Sequence, residues 1–494
     1  MRLTSKACVL AVLATSFGIA ECQSSDQHPL ELASCSSSNP CDRGCCSQEG
    51  TCGFGEAFCG ESCQSTCDAQ AECGEYAPAG RQTCPLNLCC SAHGFCGTTP
   101  DFCGEGCQAD CDVPIRPFGN NYSNTRTIGY YQSWANSRRG CPRELRHIDT
   151  SLLTHLNYAF ALIGEDYRLQ AMSKSDFDLW PQMAGHHRGD PSLKVSISVG
   201  GWAVRSSSFS SMAQRPASRS IFIKSVINFM DTYAFDGIDL YWEYPGIPEE
   251  GGSLNDGSNY VHLVREMREA LGVGVEISVV IPSAYHYLRH YDLAGMTKYI
   301  NWFNLKSYDM HGPNGGDNGW KDLKIQTHSN LTEIDNTLDL LWHEGVQPSQ
   351  VVFGLAFYGR SFTLADPACT IPGCPIAGTG KPGSCIETPG ILSIREIADL
   401  VDGQRLTPSF DKVAGMKWIS WGNQWVSYDD EDTISIKTEF ASKRCLGGTM
   451  VWALDYDIDC GFDPVCPPGF KTLTGASGFV SEGPTPPMTS ALLG

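Results

Sequence analysis

The stretch that decides the fold is FDGIDLYWEYPG, residues 235–246. It contains one of several short apolar or β-branched runs that recur along the chain, as the strands of a buried sheet do. Alternate residues of a strand share one face, so Asp239, Tyr241 and Glu243 point the same way. Inward carboxylates are costly without a partner or a proton, so this row of side chains indicates a catalytic site. A solvated or salt-bridged strand end is the alternative.

Eight such runs lie within a domain that we place at 125–466, and helix-like stretches separate most of them. The runs are Thr127–Tyr131, Leu153–Leu162, Leu193–Val199, Gly237–Tyr241, Val275–Ile281, Trp302–Ser307, Val351–Phe357 and Gly448–Leu454. The helix-like stretches include Ser218–Ala234, Asn259–Leu271 and Glu333–Glu344. Alternating strands and helices favour a parallel sheet of the α/β class. Eight repeats predict a (β/α)8 TIM barrel, with its active site at the C-terminal strand ends; a doubly wound sheet is the alternative.

The widest interval, between the seventh and eighth runs, is too long for one loop. It holds Cys369, Cys374, Cys385 and a patch at 416–430 with three tryptophans. We therefore predict an α+β subdomain inserted at about 365–430. The barrel domain has an odd number of cysteines, so one of them must pair with Cys22, stay free or bridge two chains.

The N-terminal part of the chain is rich in cysteine, with 17 of the 25 cysteines between Cys22 and Cys111. They form two copies of one eight-cysteine pattern, at 35–67 (module 1) and 73–111 (module 2). Each copy is too small to fold on apolar burial alone, so disulfides must close it. Adjacent cysteine pairs argue against the alternative, a zinc site. Disulfides persist in oxidising compartments, which predicts a secreted protein.

The N-terminus of the chain agrees with secretion. Residues 1–20 resemble a signal peptide, because Arg2 and Lys6 precede an apolar run too short to span a bilayer. No later apolar run is long enough to span one, and we expect no membrane partner. The net charge of -20 argues against nucleic-acid binding. Asn121 and Asn330 begin glycosylation sequons. The Gly-, Ser-, Thr- and Pro-rich segment 467–494 is predicted to be a flexible tail.

Module 2 contains CCSAHGFCGTTPDFCGEGCQADC at 89–111 and resembles the hevein-type chitin-binding module. In that family a serine and three aromatic rings hold N-acetylglucosamine units, and the resemblance carries these roles onto Ser91, His93, Phe95 and Phe102. Module 1 has Ser47, Glu49, Thr51 and Phe58 at the same positions. Because two of the three rings are missing there, we expect module 1 to bind weakly or to act as a spacer. Packing inside each module is the alternative role for Phe58 and Phe102. The resemblance also implies the disulfides Cys73–Cys90, Cys84–Cys96, Cys89–Cys103 and Cys107–Cys111.

The barrel domain resembles glycoside hydrolase family 18, the chitinases, whose signature is DxxDxDxE. Residues 236–243 match it, Ser198–Trp202 match the SxGG motif, and Tyr308-Asp309 match MxYD with Lys306 in place of methionine. GLAFYGRSF at 354–362 and Trp452 also match. The resemblance implies retaining hydrolysis of β-1,4 links between N-acetylglucosamines. The acetamido oxygen of the substrate is the nucleophile, so no metal or cofactor is expected.

The family's roles carry over onto individual residues of this sequence. Glu243 would protonate the glycosidic oxygen, supported by the nearby Asp239. Tyr308 would hold the acetamido group, with Asp309 beside it. Binding roles fall on the following residues: Trp452 as the apolar floor, Trp202 in the cleft wall, and Ser198 and Tyr130 as supports of the carboxylates. Core packing is the alternative for the two tryptophans.

Tyr241 is the main departure, because the family places an aspartate there that stabilises the developing oxazolinium cation. Losing one such electrostatic contact typically costs about 10²–10³ in rate, or about 3–4 kcal/mol. We therefore hold two hypotheses: a secreted, monomeric, endo-acting chitinase with reduced activity, or a non-hydrolytic chitin-binding lectin. The layout is shared with killer-toxin-like fungal chitinases, so a cell-wall docking role in a toxin or adhesin is a third interpretation.

Overall fold

The computed structural model describes residues 34–119, 126–312 and 324–457. The expected signal peptide, the sequon at Asn121 and the tail lie outside these ranges, as do four of the cysteines, Cys8, Cys22, Cys460 and Cys466. Cys22, a predicted partner of the odd cysteine, is thus outside the part of the chain that the structure describes. Among the described residues, no helix is long and apolar enough to cross a membrane.

Eight parallel strands form a closed barrel, because the first strand pairs with both the second and the eighth. They are β1 Arg126–Gln132, β2 His155–Ile163, β3 Lys194–Gly200, β4 Gly237–Tyr241, β5 Glu276–Pro282, β6 Trp302–Lys306, β7 Val351–Ala356 and β8 Gly448–Trp452. A short strand, Leu169–Ala171, adds to β2 in the antiparallel direction. The predicted barrel is confirmed, and each predicted strand end lies within two residues of the observed one. Closure excludes the doubly wound alternative.

Helices cover the outside of the barrel. The longer ones are Asp176–Gly189, Ser206–Gln214, Pro216–Tyr233, Asp256–Leu271, Leu331–His343 and Glu431–Lys443, and Tyr285–Leu288 and Leu293–Met296 are single turns. The helix Asp256–Leu271 illustrates their packing, since Tyr260, Leu263, Val264 and Met267 recur at helical spacing and are buried. Asn330 caps the helix Leu331–His343 by accepting from the Thr332 backbone N–H.

The interval between β7 and β8 contains the predicted inserted subdomain. Its antiparallel strands are Tyr358–Leu364, Ile376–Thr379, Ile391–Ser393, Ser409–Asp411, Met416–Trp421 and Gln424–Tyr428, with one helix, Ile394–Gln404. It begins earlier than the expected residue 365, because the chain passes from β7 into the first inserted strand across Phe357 alone. The disulfide Cys141–Cys385 ties it to the segment after β1, and Cys369–Cys374 closes a loop within it.

Each N-terminal module consists of two short antiparallel strands, a single helical turn and four disulfides. The strands are Cys45–Cys46 and Cys52–Gly53 in module 1, and Cys89–Cys90 and Cys96–Gly97 in module 2; the helical turns are Glu56–Cys59 and Pro100–Cys103. Module 1 is closed by Cys35–Cys46, Cys41–Cys52, Cys45–Cys59 and Cys63–Cys67. Module 2 has the four disulfides that the resemblance implies.

Module 2 and the segment after it lie against the outer face of the barrel. Asn87 donates to the Glu344 carboxylate at 3.0 Å, beyond the end of the helix Leu331–His343. Arg116 forms an ion pair with Asp339 of the same helix. The Gly119 N–H donates to the Lys443 carbonyl at 3.0 Å. Module 2 and this segment are therefore attached to the barrel by polar contacts, beside the apolar packing of Leu86 and Leu88.

Candidate active site

Asp239 lies inside the barrel on β4 and is completely buried. Its carboxylate accepts four hydrogen bonds: from Tyr130 Oη at 2.8 Å, Ser198 Oγ at 2.7 Å, Ser278 Oγ at 2.7 Å and Asn304 Nδ2 at 3.0 Å. Burial raises the pKa of Asp239, and these hydrogen bonds act in the opposite direction. The donors come from four different strands, so Asp239 links these strands at the centre of the barrel, below the site.

Tyr241 is the next inward-facing residue and is 4% exposed. Its ring packs edge-on against Phe160, Trp452 and Tyr130, with centroids 5.2, 5.8 and 6.3 Å away. Burial raises the pKa of Tyr241 well above its usual value, and the neighbouring Tyr308 adds to the shift. The residue is therefore a neutral phenol at the position where the signature has an aspartate. The ring is part of the floor of the site.

Glu243 follows the end of β4 and reaches into a cavity, with 18% of its side chain exposed. Lys306, at the end of β6, donates to Glu243 Oε1 at 2.7 Å and to Tyr244 Oη at 2.9 Å. The Tyr244 hydroxyl also lies 3.3 Å from Glu243 Oε1. Lys306 is a site residue that the sequence interpretation missed. The signal was present, since a lysine replaces the methionine of MxYD at an inward-facing strand end.

Tyr308 and Asp309 follow Lys306 shortly after the end of β6. Tyr308 is 2% exposed, and burial raises its pKa well above the usual value. Asp309 accepts from Tyr358 Oη and from Arg360 Nε, each at 2.7 Å. Burial opposes ionisation of Asp309, but the Arg360 guanidinium and Lys306 outweigh it and hold the pKa well below its usual range. Asp309 is thus an anchored carboxylate whose partners come from the inserted subdomain.

The cavity at the barrel mouth has a volume of about 1090 Å³ and is rich in aromatic rings. Trp452 is half-buried in the floor, stacked on Phe160 at 5.4 Å. Trp202 stands at the rim, 67% exposed, with its ring edge-on to Trp134 at 5.5 Å. The aromatic lining residues are Trp134, Phe160, Trp202, Tyr241, Tyr244, Tyr308, Tyr358, Trp452 and Tyr456. Flat rings beside charged groups can hold a sugar chain by its faces and its hydroxyls.

A family model for "Glycosyl hydrolases family 18" matches residues 126–457, the whole described barrel with its insertion. The chain belongs to this family. A second model, "Chitin recognition protein", matches residues 72–111, which is module 2. Module 1 repeats the cysteine pattern and the disulfide pairing of module 2.

Relatives of this family 18 member include a protein named "Probable chitinase LysM11" from Penicillium expansum, 29% identical over 68% of the chain and 33% of its own length. An "Endochitinase" from Manduca sexta is 30% identical over 68% of the chain and 64% of its own length. The chain therefore spans less than two thirds of the length of these curated relatives. Among solved structures, the Group IV chitinase of Ostrinia furnacalis in complex with allosamidin is 27% identical. Its TM-score is 0.65 over 71% of this chain and 97% of that one.

In module 2 the four expected binding residues divide into two pairs. Ser91 is 4% exposed, and its hydroxyl accepts from the backbone N–H groups of His93 and Phe95 at 3.3 and 3.2 Å. Phe95 is 9% exposed, with its ring 4.7 Å from that of Phe54 in module 1. Neither presents the open surface that the resemblance implies. His93 and Phe102 are half-buried.

Proposed function

We propose that this family 18 protein is a secreted chitinase that attaches to chitin through its N-terminal modules and cleaves the polysaccharide at the barrel mouth. The observation that carries the proposal is the position of Glu243, a carboxylate in an aromatic-lined cavity at the C-terminal end of β4. Secretion is supported by ten disulfides among the described residues. We further propose that it acts as a monomer, cuts within the chain, and is of the killer-toxin-like fungal type.

The reaction follows the substrate-assisted scheme of the family. The acetamido oxygen forms a bond to the anomeric carbon while the bond from that carbon to the glycosidic oxygen breaks. Glu243 gives its proton to the departing oxygen, which leaves as a neutral alcohol. Water then opens the oxazolinium ring with retention and returns a proton to Glu243. Tyr308 would hold the acetamido group, and Trp452 would support the distorted sugar from below.

Two residues distinguish this site from the family scheme. Tyr241 supplies no negative charge to the oxazolinium cation, which typically costs about 10²–10³ in rate. Lys306 donates to Glu243 Oε1 at 2.7 Å, which leaves Oε2 to carry the proton for the glycosidic oxygen. We therefore propose slow hydrolysis, with a long-lived complex between the protein and the sugar chain.

The test is the release of reducing ends from N-acetylglucosamine hexamers by the full chain and by Glu243→Gln. Glutamine keeps the size of the side chain and cannot donate the required proton. Slow release that disappears in Glu243→Gln would support the proposal. Equal product release by both proteins would refute it, because the hydrolysis would not depend on Glu243.

The second candidate is a chitin-binding protein without hydrolytic activity, and the Lys306–Glu243 ion pair beside Tyr241 favours it. Under this proposal the same cleft holds the polymer without breaking it. Binding of the hexamer by isothermal calorimetry, with intact hexamer recovered after long incubation, would support it. Product formation that depends on Glu243 would exclude it.

A further inference from the structure

The two N-terminal modules are joined by a short segment and by direct contacts. Five residues, 68–72, separate the last cysteine of module 1 from the first of module 2. The Phe54 N–H donates to the His93 carbonyl at 3.1 Å, and the Glu72 N–H donates to the Gly94 carbonyl at 3.0 Å. The Glu72 carboxylate accepts from the Cys96 N–H at 3.0 Å and from Arg43 Nε at 2.5 Å. Backbone and side-chain bonds therefore fix module 1 against the loop of module 2 that carries its expected sugar-binding residues.

An apolar contact lies at the centre of this junction. Phe54, Ala71 and Phe95 are 4%, 3% and 9% exposed and form one cluster. The Arg43 guanidinium lies over the Phe95 ring, 5.6 Å from its centroid. A buried ring that already carries a cation on one face and a phenyl group beside it has no face left for a sugar. Phe95 therefore holds the modules together in this structure.

Other rings near the junction remain partly open. Phe58 of module 1 and His93 of module 2 meet edge to face, with centroids 5.1 Å apart, and both are half-buried. Phe102, also half-buried, packs beside the Phe54–Phe95 cluster. Tyr76 is 52% exposed and lies against Gly55, the residue before the helical turn that carries Phe58. The aromatic residues available to a ligand thus come from both modules.

We infer that modules 1 and 2 form one chitin-binding site, in which Phe58 of module 1 replaces Phe95 as a stacking ring beside His93 and Phe102. This inference rests on the proposed chitin-binding function. The C–H groups of a pyranose face pack against aromatic rings, and a β-1,4-linked polymer presents such faces at regular intervals. Module 1 takes Phe95 out of the expected platform and supplies Phe58 in return. It is then neither an independent weak binder nor a spacer.

The experiment is adsorption of the full chain to insoluble chitin, measured as binding isotherms for wild type, Phe58→Ser and Phe102→Ser. We expect each serine variant to bind chitin about tenfold more weakly, because it loses one aromatic stacking contact and the apolar area that this contact buries. Phe58→Trp keeps a ring and should keep the affinity within about threefold, which separates the loss of stacking from misfolding. Phe177→Ser, which removes a 55% exposed ring from the barrel, is the matched control and should bind as wild type.

The barrel can be monitored separately in the same proteins. The 11 tryptophans all lie at Trp134 or later in the sequence, so tryptophan fluorescence reports on the barrel and not on the modules. Titration with soluble hexamer should therefore give the same fluorescence change in Phe58→Ser as in wild type.

Three results would overturn the inference. Wild-type adsorption by Phe58→Ser together with weak adsorption by Phe102→Ser would mean that module 2 binds alone. Tighter adsorption by the double variant Phe54→Ser/Arg43→Ser would mean that module 1 covers the site instead of contributing to it. Adsorption by no protein in the series, wild type included, would refute the proposed attachment to chitin itself.

Discussion

Replacing Tyr241 by aspartate restores the missing carboxylate of the signature and is the most direct test of how this site works. In the present structure the phenol is neutral and packs edge-on against Phe160 and Trp452. Tyr241→Asp removes that ring and introduces a group that can be negatively charged beside the reacting acetamido group. Under the hydrolytic proposal we expect hydrolysis to become faster while the fold becomes less stable.

The gain in rate follows from electrostatics. A unit charge about 4 Å from the oxazolinium cation stabilises it by about 4 kcal/mol at an effective dielectric constant of about 20. That value agrees with the 10²–10³ loss typical of removing one such contact. Lys306 reduces the gain. Its positive charge already acts on the pKa of Tyr241, against the effect of burial, so it would also attract a carboxylate at this position and partly neutralise its charge. We expect about 30-fold for Tyr241→Asp and a larger gain for Tyr241→Asp/Lys306→Met.

The loss of stability follows from packing. Tyr241 is 4% exposed, and aspartate leaves much of its volume empty. Truncation of a buried aromatic side chain costs about 3–5 kcal/mol, and the cost is smaller where water can fill the space. Because Tyr241 lines the cavity, we expect about 3 kcal/mol.

The assay is kcat/KM for reducing-end release from the hexamer, with thermal unfolding measured in parallel. Tyr241→Phe is the matched control, since it keeps the ring, lacks the hydroxyl and should change the rate by less than about threefold. Glu243→Gln in the Tyr241→Asp background should abolish the gained activity. A folded Tyr241→Asp protein with a rate within threefold of wild type would refute the reasoning, because the missing charge would then not limit hydrolysis.

Three further predictions concern stability. Asp239→Ala leaves four buried donors without their acceptor and should lower the free energy of unfolding by about 3–5 kcal/mol in urea denaturation. The control is Ser278→Ala, which removes only one of these donors and should cost about 1–2 kcal/mol. Cys141→Ser/Cys385→Ser opens a cross-link between residues 244 positions apart and should cost about 3–5 kcal/mol by the same measurement; an unchanged midpoint would contradict it. Burial lowers the pKa of His328 to about 3, whereas the pKa in the unfolded chain is 6.5. The neutral imidazole therefore contributes its full stability above pH 6.5. That contribution is lost as the pH falls towards 3, by about 1.4 kcal/mol per pH unit. In His328→Asn the loss of stability between these pH values should be shallower than in wild type, and parallel curves would contradict the prediction.

The barrel could be predicted because its physical signals are local. Each strand is a short apolar or β-branched run, and closure follows from the number of runs. The centre of the site could also be placed from alternation on β4, which puts Asp239 and Glu243 on one face. The inserted subdomain was predicted with a late start, because an apolar run gives no sign that the chain leaves the barrel after Phe357.

The contacts that sequence reasoning missed join distant parts of the chain. Lys306 ends β6 and Glu243 follows the end of β4, so their 2.7 Å contact depends on how the closed barrel places these two strands. The burial of Phe95 depends on Phe54, which belongs to the other module. Each module sequence alone resembles an independent unit, so its packing against a neighbour has no local signature.

The attachment of module 2 and its following segment to the outside of the barrel has a consequence for the proposed hydrolysis of insoluble chitin. Under the proposed function, contacts at Asn87, Arg116 and Gly119 hold the chitin-binding modules at one position on the barrel that carries Glu243. A catalytic domain on a long flexible linker could reach many glycosidic bonds around a single attachment point. In the proposed enzyme the bonds within reach of one attachment point would be few, so the whole molecule would have to detach and bind again to reach new bonds. Stronger adhesion would therefore slow its progress across a crystalline surface.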